Sequence, residues 1–195
     1  MNYLDATKHK YISYRTDQID FYIGNGLSFD KNKIKASAKF AEGFIQDYNI
    51  KTQNRITYIA ASSIDECSAM IGLVYTPIRS HESYAGRTIY NIILSTQLDH
   101  IHEVVHAIML PLYPNAPQFL HEGIATYYGG TATQDYKTLK KVATDFIERE
   151  RMDFGTNNFL DASLSDDIPL SYVIGAAIVE YALQNGGERV VLRLF

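Results

Sequence analysis

Apolar positions follow two different periods along this chain. Residues 1 to 17 are polar and follow neither, so they read as a loose lead-in. Ile19-Asp20-Phe21-Tyr22-Ile23 mixes apolar and aromatic residues and stops at Gly24-Asn25-Gly26, which predicts a strand and a turn. After Asp30 the period lengthens. Ile34, Ala38, Ala41, Ile45 and Tyr48 keep helical spacing, and Asp30 is placed to cap that helix. Arg55 to Ala61 predicts a second strand, with a loop from Ser62 to Cys67 behind it. Met70 to Thr76 is a candidate strand stopped by Pro77, and Thr88 to Leu94 has the strongest strand character in the chain.

From Thr96 onward the pattern is helical. Ile101, Val104, Val105, Ile108 and Leu112 form the apolar stripe of a helix that Ser95, Thr96 or Asp99 can cap. Pro111, Pro114 and Pro117 break the chain into a short loop, and Pro117 suits the first turn of a second helix ending at Gly129-Gly130. A third helix is predicted from Gln134 to Arg151, an irregular stretch from Met152 to Pro169, and a fourth helix from Ser171 to Gln184. Glu188 to Phe195 begins another apolar helical turn, and its abrupt stop at Leu192-Arg193-Leu194-Phe195 suggests a chain cut from a longer protein. Strands with one helix, then helices only, predict an α+β domain over 18–195. Its strand-rich lobe is 18–95 and its helical lobe 96–195, with a cleft between the lobes as the place for a site.

Composition narrows the picture. The 195 residues are 46% hydrophobic, enough for a real core, and the net charge of −4 is spread without a basic patch. Nucleic acid is therefore not an expected partner. No apolar run approaches the ~20 residues of a membrane span. Met1 to Lys10 has no apolar signal region. Cys67 is the only cysteine, which excludes an internal disulfide and a cysteine-rich zinc site. No activating motif surrounds it, so it reads as a buried small residue.

The chemistry is concentrated in His102-Glu103-Val104-Val105-His106. On a helix, residues i and i+4 differ by one turn plus about 40°, so both imidazoles leave the same face. Two nitrogen ligands held that way cover half of a tetrahedral zinc shell, and Glu103 is placed to act as general base on water at the metal. A catalytic zinc needs a third protein ligand and an open position. Phe119-Leu120-His121-Glu122-Gly123-Ile124-Ala125, after the proline-rich reversal, offers one.

With that segment the chain resembles the gluzincin metallopeptidases, most closely the compact bacterial peptidase-MA-like domains. In that family the glutamate of a Trp/Phe-Leu-x-Glu-Gly-x-Ala segment is the third zinc ligand, which implies His102, His106 and Glu122 as ligands of Zn2+. His121 is the rival ligand in the same segment, but its neighbour fits the family pattern better. Ser171-Tyr172-Val173-Ile174-Gly175-Ala176-Ala177 resembles the family segment whose tyrosine hydrogen-bonds the oxyanion, implying that role for Tyr172. The resemblance covers about Ile89 to Phe195. It implies a zincin-like fold and a peptide or protein substrate. It also implies an extracytoplasmic location, with the cytoplasm as the alternative. The aminopeptidase Gly-x-Met-Glu-Asn segment, which binds a substrate's free amine, has no counterpart here; Ser68-Ala69-Met70-Ile71-Gly72 lacks the acid. Cleavage mode therefore stays open.

The expected function is zinc-dependent peptide hydrolysis. Its rivals are a catalytically quiet zinc or peptide-binding module within a larger surface protein, and a metal-dependent hydrolase of a non-peptide amide. Thr126, one turn after Glu122, is a candidate partner for a ligand histidine, with packing as the plainer role. His9, His81 and His100 have no partner visible in the sequence, and oligomeric state is not readable from it.

Overall fold

The computed structural model describes residues 11–24, 26–51, 54–72, 86–131, 133–153, 155, 158–165 and 168–195. They form a mixed α+β structure with six α-helices and a small mixed sheet. The chain divides into two compact units, one ending at Pro111 and one beginning at Leu112.

In the first unit, β1 (Tyr11–Arg15), β2 (Ile19–Gly24), β3 (Ile56–Ala60), β4 (Gly86–Ile89) and β5 (Ile92–Ser95) form a sheet of order β1-β2-β3-β5-β4. The central pairings β2–β3 and β3–β5 are parallel, and both outer pairings are antiparallel. Phe21 and Tyr58, adjacent across β2 and β3, are fully buried and stacked at 4.9 Å. α1 (Lys31–Asp47) starts at Asp30, whose carboxylate accepts from the N–H groups of Asn32 and Lys33. Of the expected stripe, Ile34, Ala41 and Tyr48 are buried and Ala38 and Ile45 half-buried; Phe44 is buried beside them, and Ser37 turns inward and donates to the Leu98 carbonyl at 3.0 Å. α2 (Ile64–Met70) packs Ile64, Cys67 and Met70 with Ile59, Ile92 and Leu94.

Several expectations for this unit are corrected. Residues 11–15 are not a lead-in but an edge strand in register with β2, from Tyr11 opposite Gly24 to Arg15 opposite Asp20. An outer strand buries little, so its polar sequence hides it. The predicted loop from Ser62 to Cys67 is instead the start of α2, capped by Ser63, which accepts from the Glu66 N–H. The predicted strand from Met70 begins on the last residue of that helix, and its continuation at 73–76 lies outside the described residues. Thr88 to Leu94 is not one strand. It reverses at Tyr90, whose φ of 55° is left-handed, so that Ile89 faces Ile92 across a two-residue turn. Asn25 of the predicted turn also lies outside the described residues. α3 (Ile101–Leu112) carries the histidine pair and closes this part of the chain.

The second unit holds α4 (Gln118–Gly129), α5 (Tyr136–Glu150), the hairpin of β6 (Ser163–Ser165) and β7 (Ile168–Pro169), and α6 (Leu170–Val191). Leu139, Ala143, Leu170 and Val173 form one buried apolar cluster within it. Pro117 stands at the start of α4, as expected, since its missing N–H is no loss there. Asp135 caps α5 by accepting from Thr138 N–H at 2.8 Å. Glu180 on α6 accepts from Tyr136 at 2.8 Å and Lys140 at 2.6 Å, and the Lys140 ammonium holds its carboxyl below the usual range. α6 is two helical stretches joined across a kink at Gly186-Gly187, where the backbone is non-helical and Gly187 has a φ of 66°, so the helix breaks at the predicted glycines and a new helical stretch begins at Glu188, as expected. Among the described residues no helix is long and apolar enough to cross a membrane.

Candidate metal centre

α3 is built to bury its polar residues. It is apolar on most positions, and every residue from His102 to Met109 is buried. This differs from the one-sided stripe expected from sequence: a helix covered all round conceals its whole circumference. His102, Glu103 and His106 are each less than a tenth exposed. One helical turn brings the two Nε2 atoms to 3.0 Å, with ring centroids 4.7 Å apart and planes at 74°. Two nitrogens at about 2.0–2.1 Å from a tetrahedral zinc lie roughly 3.3 Å apart, so the pair has nearly the bite the ion requires.

Glu122 is half-buried on α4. One ligand atom from each of His102, His106 and Glu122 lies within 4.8 Å of the other two, and this group can hold a metal ion. Two imidazoles and one carboxylate are a donor set that zinc accepts and that leaves a coordination position unfilled. His121 is not in the group. Its Nε2–H donates to the Tyr113 carbonyl at 2.8 Å, and its ring meets Phe195 edge-on at 5.3 Å. That bond ties α4 back to the start of the short connection preceding it.

The start of α3 is held by the sheet. The buried Tyr58 hydroxyl donates to the Gln97 carbonyl at 2.7 Å and accepts from the His100 N–H at 3.1 Å. Burial pushes that phenol well above its ordinary range. Ser95 does not cap α3: its hydroxyl accepts from Gln97 N–H at 3.0 Å and lies 3.1 Å from His100 Nδ1. His100 is buried and is not among the grouped donors. His9 and His81 lie outside the described residues.

Glu103 meets β4. Thr88 Oγ1 lies 2.7 Å from Glu103 Oε2, and Gly86 packs so closely that a Cβ there would stand 2.7 Å from Glu103 Cγ and overlap the His100 ring. Sequence reasoning missed both residues. Their placement depends on the hairpin reversal at Tyr90-Asn91, where Asn91 is the one local turn signal within a strand-like run.

Tyr172 stands in the first turn of α6, half-buried, and α6 packs on α4. Thr126 takes the plainer packing role: it is fully buried, and its hydroxyl has no hydrogen-bond partner among the described residues. Cys67 is buried, and desolvation pushes its thiol up to about 12, which suits an inert core residue. No protein-family model matches the sequence, and no curated protein matches it.

Proposed function

We propose that this chain is a zinc-dependent peptidase of gluzincin type with a zincin-like fold. The observation that carries the reading is a buried carboxylate, Glu103, next in sequence to one member of a two-histidine, one-glutamate donor group. A module that only stored zinc would gain nothing from burying that acid, because an ionisable group without a task is costly to desolvate.

His102, His106 and Glu122 would hold the ion. Zinc, when bound, supplies Lewis acidity that acidifies water and polarises a carbonyl. Glu103 takes the proton of the attacking water and returns one to the leaving amine. Tyr172, by resemblance to the family segment, donates a hydrogen bond to the developing oxyanion. β4, the outer strand of the sheet among the described residues and the one beside Glu103, offers its edge to an extended peptide. The proposal covers both endo- and exopeptidase action.

Digestion of a peptide library by the purified chain, with and without chelator, tests the reading. The wild type should cleave and chelator should abolish cleavage. Glu103→Gln should keep its metal and lose about 10²–10⁴ of the rate, the usual contribution of a general base. Undiminished cleavage by Glu103→Gln would overturn the assignment.

A further inference from the structure

We propose that Thr88 is a positioning residue for Glu103, a role that rests on the peptidase reading above. β4 pairs with β5 so that Gly86 faces Ser95 and Thr88 faces Ile93. Strand period two puts Gly86 and Thr88 on the same face of β4. That face meets α3 at Glu103. Gly86 has no side chain, so the strand backbone comes close enough for the next inward residue to reach the carboxylate.

Thr88 Oγ1 lies 2.7 Å from Glu103 Oε2 and 3.1 Å from the Glu103 backbone carbonyl. The hydroxyl has one proton to give. The carboxylate is the shorter contact and the charged acceptor, so it takes the stronger bond. Glu103 has three rotatable side-chain bonds, and a general base must be held near its working geometry to be effective. Thr88 can do this because its own backbone is fixed by the ladder and its β-branched side chain is stiff at χ1. With Oε2 committed to Thr88, Oε1 is the oxygen that receives the proton of the attacking water.

Three zinc-loaded proteins distinguish this role from simple packing: wild type, Thr88→Val, which keeps the branch and removes the hydroxyl, and Thr88→Ser, which does the reverse. All three should hold the same zinc content. Thr88→Val should lower kcat by about tenfold, part of a general base's contribution, while KM stays within about twofold. Thr88→Ser should recover most of kcat. An unchanged kcat in Thr88→Val, or equal impairment in both variants, would overturn the proposal. Crystal structures of zinc-loaded wild type and Thr88→Val provide a second readout that needs no turnover. The Glu103 carboxylate should rotate or occupy several conformers in the variant; one unchanged rotamer would overturn the role. If the wild type holds zinc and cleaves nothing, the peptidase reading fails, and the rotamer comparison still decides what Thr88 does.

Discussion

The Tyr58 hydroxyl accepts the backbone N–H of His100 at 3.1 Å, two residues before the first histidine of the metal group. The same hydroxyl donates to the Gln97 carbonyl at 2.7 Å, so one buried phenol spans the turn that leads into α3. Tyr58→Phe keeps the stack on Phe21 and removes a hydrogen bond from the buried His100 N–H and another from the half-buried Gln97 carbonyl. It should cost about 1–3 kcal/mol, the usual penalty for an unsatisfied buried donor or acceptor. Urea unfolding measures this, and an unchanged midpoint would show that the turn is held by other means.

Gly123 and Gly175 set how closely α4 and α6 approach. A Cβ on Gly123 would stand 2.6 Å from Gly175 Cα, and one on Gly175 would stand 2.9 Å from Gly123 Cα and overlap the Phe119 carbonyl. Both obstacles are backbone and cannot rotate away. Gly175→Ala should therefore destabilise the chain by about 1–3 kcal/mol, as overpacking does. Because Glu122 adjoins Gly123 and Tyr172 lies one turn before Gly175, the same change should also weaken zinc retention. Full stability in Gly175→Ala would mean that the helices can separate at little cost.

Asp20, on β2, ties β1 to the residue that leads into β3. Its carboxylate accepts from Arg55 at 2.8 and 3.0 Å and from Arg15 at 2.8 Å. The hydrogen-bonded Arg55 guanidinium, more than Arg15, holds the Asp20 carboxyl below its usual range. A folded-state pKa below the unfolded value of about 3.9 stabilises the fold above that value. The contribution fades as pH falls through the folded pKa. Arg55→Met should therefore be less stable than wild type near pH 7, and the gap should narrow below about pH 3. Denaturant midpoints across that range decide it; a gap independent of pH would assign the effect to packing instead.

The parts of this fold that were legible in the sequence are those where one local rule dominates. Asp30 and Pro117 begin helices because an N-terminus rewards an acceptor side chain or a missing N–H. The i and i+4 histidines face each other because helix geometry alone decides it. The Ser63-Ile64-Asp65-Glu66 stretch also carried a local signal, a serine followed by an acid three residues on, which marks the start of α2.

Other features depended on partners distant in sequence. β1 is a strand because β2 pairs with it, and the turn at Tyr90 places a bulky residue in a left-handed conformation that residue type does not announce. The contacts of Thr88 and Gly86 with Glu103 follow from that hairpin and from the approach of β4 to α3. Two of the three donors in the metal group were fixed by helical spacing. The third, Glu122, was reached through a resemblance rather than through geometry.

The most direct test is the zinc content of wild type, His106→Ala and Glu122→Ala after dialysis against a weak chelator. The wild type should retain about one zinc per chain, and each variant should release it, because loss of one protein ligand leaves a shell too weak to compete. Zinc retained by Glu122→Ala at the wild-type level would contradict the account, since the carboxylate of α4 would then not be a ligand.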